Sequence, residues 1–135
     1  MYSKFQSEIA VRPDDIDMNN HVHYSKYLDY LLAARFDQME KDSKVPIEDF
    51  IKLGYTWVAS KAEIEFKRAL LLKDIAVVQT QIESYSGAQV FVNFWILKKG
   101  TMKIAAEGKV IYTMVSITSG RPVRIPEDII KKYSV

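Results

Sequence analysis

From Tyr55 onward the apolar residues of this chain recur at every second position, in four successive runs. That spacing lines one face of a β-strand. In the first run Val58, Ala62, Ile64 and Phe66 face one way and Lys61, Glu63, Glu65 and Lys67 the other. Ile75 to Tyr85 forms the second, rich in Val and Ile. The third carries Val90, Val92, Phe94 and Ile96 against Trp95 and Leu97, and in the fourth Val110, Tyr112 and Met114 alternate with Lys109, Ile111 and Thr113. Ser86-Gly87 and Lys99-Gly100 join the last three runs. Turns that short allow antiparallel hairpins and no crossover. Phe5 to Val11 alternates in the same way and adds a strand at the front.

Between the first strand and the rest the period changes. Tyr24, Tyr27, Leu28, Leu31, Leu32 and Phe36 fall at steps of three and four, which predicts one broad stripe on a long helix from Val22 to about Lys41. Asn19 and Asn20 are both suited to cap it. Pro46 to Leu53 reads as a shorter helix that Gly54 stops, and Pro126-Glu127-Asp128 opens a last one. The fold class is therefore α+β: a long central helix wrapped by a curved antiparallel sheet of about five strands. At 135 residues, with no linker or repeat, residues 1–135 form a single domain. One sheet face must bury the helix. The other still carries Trp95, Leu97, Ile111 and Val115, which points to burial against a second subunit.

Several classes of function are excluded early. The chain has no cysteine, so a thiol nucleophile, a disulfide and a cysteine metal site are ruled out. A net charge of +2 is too small to make nucleic acid the expected partner. No apolar run is long enough to span a membrane, and Met1 to Glu8 lacks the apolar core of a signal peptide, so a cytoplasmic protein without a membrane is expected. Neither a Gly-x-Ser-x-Gly elbow nor a Gly-rich phosphate loop occurs.

The chemistry concentrates in Arg12-Pro13-Asp14-Asp15-Ile16-Asp17-Met18-Asn19-Asn20-His21-Val22-His23-Tyr24. Asp17 precedes the expected helix start, where the helix dipole favours its ionised form. It reads as a general base for water, as a direct nucleophile on an acyl carbon, or as a plain helix cap. Asp17, Asn19 and Asn20 compete for one capping position, so surplus polar groups remain. Asn19 can hold a water or a carbonyl. His21 can orient water, share a proton with Asp17 or polarise a carbonyl. The backbone N–H groups of Val22, His23 and Tyr24, if they open the helix, can hold an oxyanion. Two histidines at i and i+2 chelate a metal poorly, and no metal or other cofactor is expected. Lys67, Arg68 and Lys73 are candidates for the phosphates of a nucleotide-like carrier, or an ordinary solvated rim.

The run Asp15-Ile16-Asp17-Met18-Asn19-Asn20-His21-Val22-His23-Tyr24-Ser25-Lys26-Tyr27-Leu28, with Ala34-Arg35 beyond it, resembles the hotdog-fold acyl thioesterases. The Asp-x-Asp start and the Tyr-Leu and Ala-Arg pairs are similar to the 4-hydroxybenzoyl-CoA thioesterase-like group. The Asp-x-Asn-x-His-Val portion is similar to acyl-ACP thioesterases. The resemblance implies a hotdog fold and Asp17 as the catalytic carboxylate, with Asn19 and His21 completing the set in the acyl-ACP branch. That branch also carries a glutamate after a basic pair, whereas here Lys67-Arg68 is followed by Ala69-Leu70. An acyl-CoA or acyl-carrier-protein substrate is implied, together with a homodimer or homotetramer whose sites lie between subunits. Two other functions fit the same fold: acyl-thioester binding without turnover, and hydration or dehydration of an acyl-CoA.

Overall fold

The computed structural model describes residues 2–42 and 45–133. The strands are β1 (Lys4–Ala10), β2 (Tyr55–Phe66), β3 (Ile75–Ser86), β4 (Gln89–Lys98) and β5 (Lys103–Ser116). The helices are α1 (Lys26–Lys41), α2 (Ile47–Lys52) and α3 (Glu127–Tyr133). All five strands lie in one antiparallel sheet of order β1-β3-β4-β5-β2. This is the expected hotdog arrangement. Among the described residues, no helix is long and apolar enough to cross a membrane.

The inward faces of β4 and β5 follow the period read from the sequence. Val90, Val92, Phe94 and Ile96 are buried, as are Val110 and Met114. Against them pack Tyr27, Tyr30, Leu31, Ala34 and Met39 of α1. Each such large apolar side chain contributes about 1.5–3 kcal/mol on leaving water.

The predicted single stripe on the helix divides in two. Tyr27, Leu31, Ala34 and Gln38 turn to the sheet, whereas Leu28, Leu32 and Phe36 run along a second line and are 39–49% exposed. The helix also starts at Lys26, four residues later than expected. Val22 is not helical, because it forms an antiparallel bridge with Ile16.

β2 departs from strict alternation as well. Its register with β5 shifts between Ala59 and Lys61, so one extra residue enters the strand and the inward parity flips. Tyr55 and Trp57 pack on the core before the bulge and Ile64 after it. Val58, grouped with Ile64 on one face by the alternation, is 46% exposed. The apolar residues of the second sheet face are present but interspersed with polar ones. Trp95 stands between Gln79 and Glu107, with the Lys4 ammonium 4.2 Å from its ring centre.

One polar residue sits in the middle of the helix–sheet contact. Gln38 is fully buried. Its amide NH₂ donates to the Ser7 hydroxyl at 3.2 Å and to the Val78 carbonyl at 3.3 Å, while its carbonyl accepts from the Thr80 hydroxyl. Ser7 in turn donates to Asp37 at 2.6 Å. Gln38 thereby fixes α1 to β1 and β3 at one axial position. We expect Gln38→Leu to destabilise the protein by about 2–3 kcal/mol, since it strands the Thr80 hydroxyl and a buried carbonyl together. Urea denaturation of the two proteins measures this; equal midpoints would mean that the network sets no register.

Candidate active site

Asp17 lies in a tight five-residue loop between the Ile16–Val22 bridge partners. The Asp17 N–H donates to the His21 carbonyl at 2.8 Å, and the Asn20 N–H to the Asp17 carbonyl at 3.1 Å. Asn20 closes the loop at φ 62°, in the left-handed region that asparagine tolerates better than most residues. A turn followed by one left-handed residue is a common way to join two short antiparallel segments. The Asn19 and Asn20 side chains therefore stand well before α1 and do not cap it.

The same loop fixes the carboxylate. Oδ1 of Asp17 accepts the N–H of Asn19 at 2.8 Å and that of His21 at 3.2 Å. Its other oxygen makes no hydrogen bond among the described residues. The helix dipole is not what holds this group. Its influence falls off within one turn, and Asp17 precedes α1 by nine positions. Two backbone amides take its place.

Across from Asp17 runs the segment that leaves β2. Phe66, Lys67, Arg68 and Ala69 form one wall of an open groove, with Asp17, His21, Tyr24 and Tyr27 on the other. Two hydrogen bonds stitch the walls together. The Val22 N–H donates to the Leu70 carbonyl at 2.8 Å, and the Leu70 N–H to the Tyr27 hydroxyl at 3.2 Å. Lys67 and Arg68 both donate their N–H groups to the Ala105 carbonyl. Tyr27 also stands edge-on to Phe66, ring centres 5.1 Å apart.

The remaining polar neighbours are structural. Asp15 is buried; its carboxylate accepts the Tyr30 hydroxyl at 2.6 Å and the Arg12 N–H at 3.0 Å. Burial, then that bond to Asp15, raise the Tyr30 phenol well above its ordinary range. The His23 ring stacks on Tyr24, and its Nδ1 accepts the Ser25 N–H at 3.2 Å, just before the first turn of α1.

A family model, described as the thioesterase-like superfamily, matches residues 11–133. The chain belongs to the thioesterase-like superfamily. The long-chain acyl-CoA thioesterase FadM of Escherichia coli (strain K12) is 19% identical over 127 residues, 94% of this chain and 95% of that protein. Among solved structures, a DHNA-CoA thioesterase from Staphylococcus aureus superimposes with a TM-score of 0.88 at 19% identity, covering 97% of this chain and 89% of the other. A 1,4-dihydroxy-2-naphthoyl-CoA thioesterase from Synechocystis gives 0.86 at 15% identity, covering 97% and 96%. At these identities the structures establish the shared hotdog fold.

Within this thioesterase-superfamily chain the candidates separate by position. Asp17 and His21 line the groove, as do Lys67 and Arg68. Asn19 contributes its backbone to Asp17 but its side chain is outside the groove lining. Lys73 also lies outside, in a tight turn at φ 78°. Two of the three amides expected at an oxyanion are engaged within the fold: Val22 with Leu70, and His23 with the Asp15 carbonyl at 2.8 Å. The Tyr24 N–H has no partner among the described residues.

Tyr27 is the groove residue that its sequence position concealed, because at helical spacing it reads as core. Its hydroxyl accepts from Leu70 and donates to nothing among the described residues. Burial pushes the phenol above its ordinary range, the Leu70 N–H opposes this, and the nearby Asp17 charge adds to it. Tyr27 therefore keeps its proton, which is free for a group bound in the groove.

Proposed function

We propose that this chain hydrolyses acyl-CoA thioesters to a free acid and a thiol. The observation that carries the reading is the state of Asp17. Two backbone amides hold one of its oxygens, the other is unbonded, and the residue lines a groove whose far wall carries Lys67 and Arg68.

The free oxygen takes a proton from water as the water oxygen adds to the thioester carbon. The oxyanion that forms accepts hydrogen bonds from the Tyr24 N–H and the Tyr27 hydroxyl. The C–S bond then breaks, and the thiolate recovers the proton held by Asp17. His21, beside Asp17, orients the water. The same free oxygen serves direct attack equally well, giving a mixed anhydride that water opens. Label in Asp17 after a single turnover in ¹⁸O-water identifies the anhydride route, in which water opens the anhydride at the Asp17 carboxyl carbon. Lys67 and Arg68 meet the phosphates of CoA at the rim. Ala69 follows the basic pair in the groove, where the acyl-ACP resemblance implies a glutamate, which favours CoA over a carrier protein.

We place a second copy of the chain against β2 and α1, giving a homodimer, rather than on the open sheet face. β2 is a twelve-residue edge strand, and among the described residues no strand pairs with its outer side. Edges of that length invite pairing. Leu28, Leu32 and Phe36 lie exposed on α1, with Val58 and Phe66 on β2.

Thiol release from short, medium, long and aromatic acyl-CoAs tests the activity directly. Absence of release across that panel would reject it. Tyr27→Phe tests the donor. We expect kcat to fall about a hundredfold to a thousandfold, the range found when one oxyanion donor is removed. Losing the Leu70 partner also lowers stability by about 1–3 kcal/mol. Assays well below the melting temperature separate the two effects, and an unchanged kcat would leave Tyr27 a structural residue.

A further inference from the structure

A second cavity lies farther along α1. Tyr27 faces the Asp17 groove and Arg35 faces this cavity; eight positions of helix separate them, about 12 Å along the axis. Its volume is about 160 Å³, and its walls include Leu32, Phe36 and Met39 of α1, Ile47 of α2, and Trp57, Ile82 and Val90 of the sheet. An apolar cavity of about 150 Å³ admits a benzene ring. This one is not wholly apolar, because Arg35, Tyr85 and Tyr112 also reach it.

Arg35 is the anomaly. It is only 9% exposed, yet among the described residues its guanidinium makes no ion pair and no hydrogen bond. Its guanidinium carbon stands over the Tyr112 ring, 6.0 Å from the ring centre. The Tyr85 and Tyr112 hydroxyls likewise have no hydrogen-bond partner among the described residues. A guanidinium cannot escape by losing its proton. Its nitrogens are not sealed off but open on the cavity, so a charge without a counter-charge faces a largely apolar space. What suits the arrangement is an anion with a flat or short apolar body.

We propose that this cavity binds a carboxylate-bearing ligand of about six carbons or one ring, its carboxylate paired with Arg35 and its body against Trp57, Ile82 and Val90. The two tyrosine hydroxyls donate to the same carboxylate. The carboxylate belongs either to a free acid or to the far end of an acyl thioester. Binding stands without the proposed hydrolysis; only the choice between those two sources rests on it.

Thermal melting of the full chain with benzoate or hexanoate, beside benzyl alcohol or hexanol, tests the proposal. We expect each acid at saturation to raise Tm by about 3 °C or more, and each alcohol to do far less. Arg35→Met should abolish the difference between acid and alcohol, and Arg35→Lys should keep part of it. Without ligand, Arg35→Met should melt at the wild-type temperature or above, because it removes a largely enclosed charge that has no counter-charge among the described residues. Equal shifts by acids and alcohols in the wild type would overturn the proposal, as would no shift by either acid. A loss of oligomer in Arg35→Met would also overturn it, by assigning the counter-charge to a second copy.

Kinetics then identify the source. A tenfold preference in kcat/KM for an acyl-CoA ending in a carboxylate over its methyl-ended equivalent, lost in Arg35→Met, puts the carboxylate on the substrate. No preference, with acid binding intact, assigns the site to a free acid.

Discussion

Asp17→Asn should cost at least about a thousandfold in kcat while leaving the fold and melting temperature close to wild type. The loop geometry makes the two effects separable. Oδ1 of Asp17 accepts the N–H groups of Asn19 and His21; an asparagine carbonyl still accepts both, more weakly, and both bonds are solvent-exposed. The φ of 62° at Asn20 and the bridge from Ile16 to Val22 depend on backbone bonds that the substitution leaves alone. What disappears is the second oxygen, replaced by an amide that neither takes a proton nor attacks a carbonyl. General-base catalysis contributes about 10² to 10⁴, and a thousandfold loss is about 4 kcal/mol of transition-state stabilisation. Thiol release measured beside a melting curve decides the matter. Wild-type turnover in a folded Asp17→Asn protein would remove Asp17 from the reaction. A comparable loss with a collapsed melting temperature would make it a loop residue alone. Asp17→Ala is the contrasting control, since it removes the side-chain acceptor of both loop amides and should melt lower.

The parts legible in the sequence were those governed by local periodicity. Strands β3, β4 and β5 and their turns follow from alternation and from Gly87 and Gly100, because a strand's facing depends on parity alone. Asp17 and His21 were legible for a different reason: the loop that joins them is short enough to be read as one cluster. Failures came wherever a partner distant in sequence decides. Val22 looked helical until its N–H met the Leu70 carbonyl, and that bond delays α1 to Lys26. The bulge between Ala59 and Lys61 moves Val58 outward, and nothing in the local pattern marks it. Tyr27 and Arg35 sit at ordinary helical spacing. Their roles depend on Leu70 and Phe66 in one case, and on Tyr85 and Tyr112 in the other. The opposite wall of the groove arrives some fifty residues after Asp17, through the pairing of β2 with β5.

That pairing is where a second large effect is expected. Gly108 of β5 stands opposite Ile64 of β2 in a close approach of the two strands. A Cβ added there would lie 1.9 Å from the Glu63 carbonyl oxygen and 2.8 Å from its carbon, both backbone atoms that cannot rotate away. Gly108→Ala therefore requires β2 to move as a strand. Overpacking of this kind costs about 3 kcal/mol or more, a fall of about 10 °C in melting temperature for a domain of this size. Gly100→Ala provides the scale. Gly100 has φ 97° but nothing within 4 Å of an added Cβ, so only backbone strain of about 1–2 kcal/mol applies. The site should register the movement too, because β2 ends at Phe66 and delivers Lys67, Arg68 and Ala69 to the groove facing Asp17. Activity of any Gly108→Ala protein that remains folded at low temperature should thus fall well below that of Gly100→Ala. Equal stability of the two variants would show that β2 yields at this point without cost, and that the groove wall is held by the Leu70 and Ala105 bonds alone.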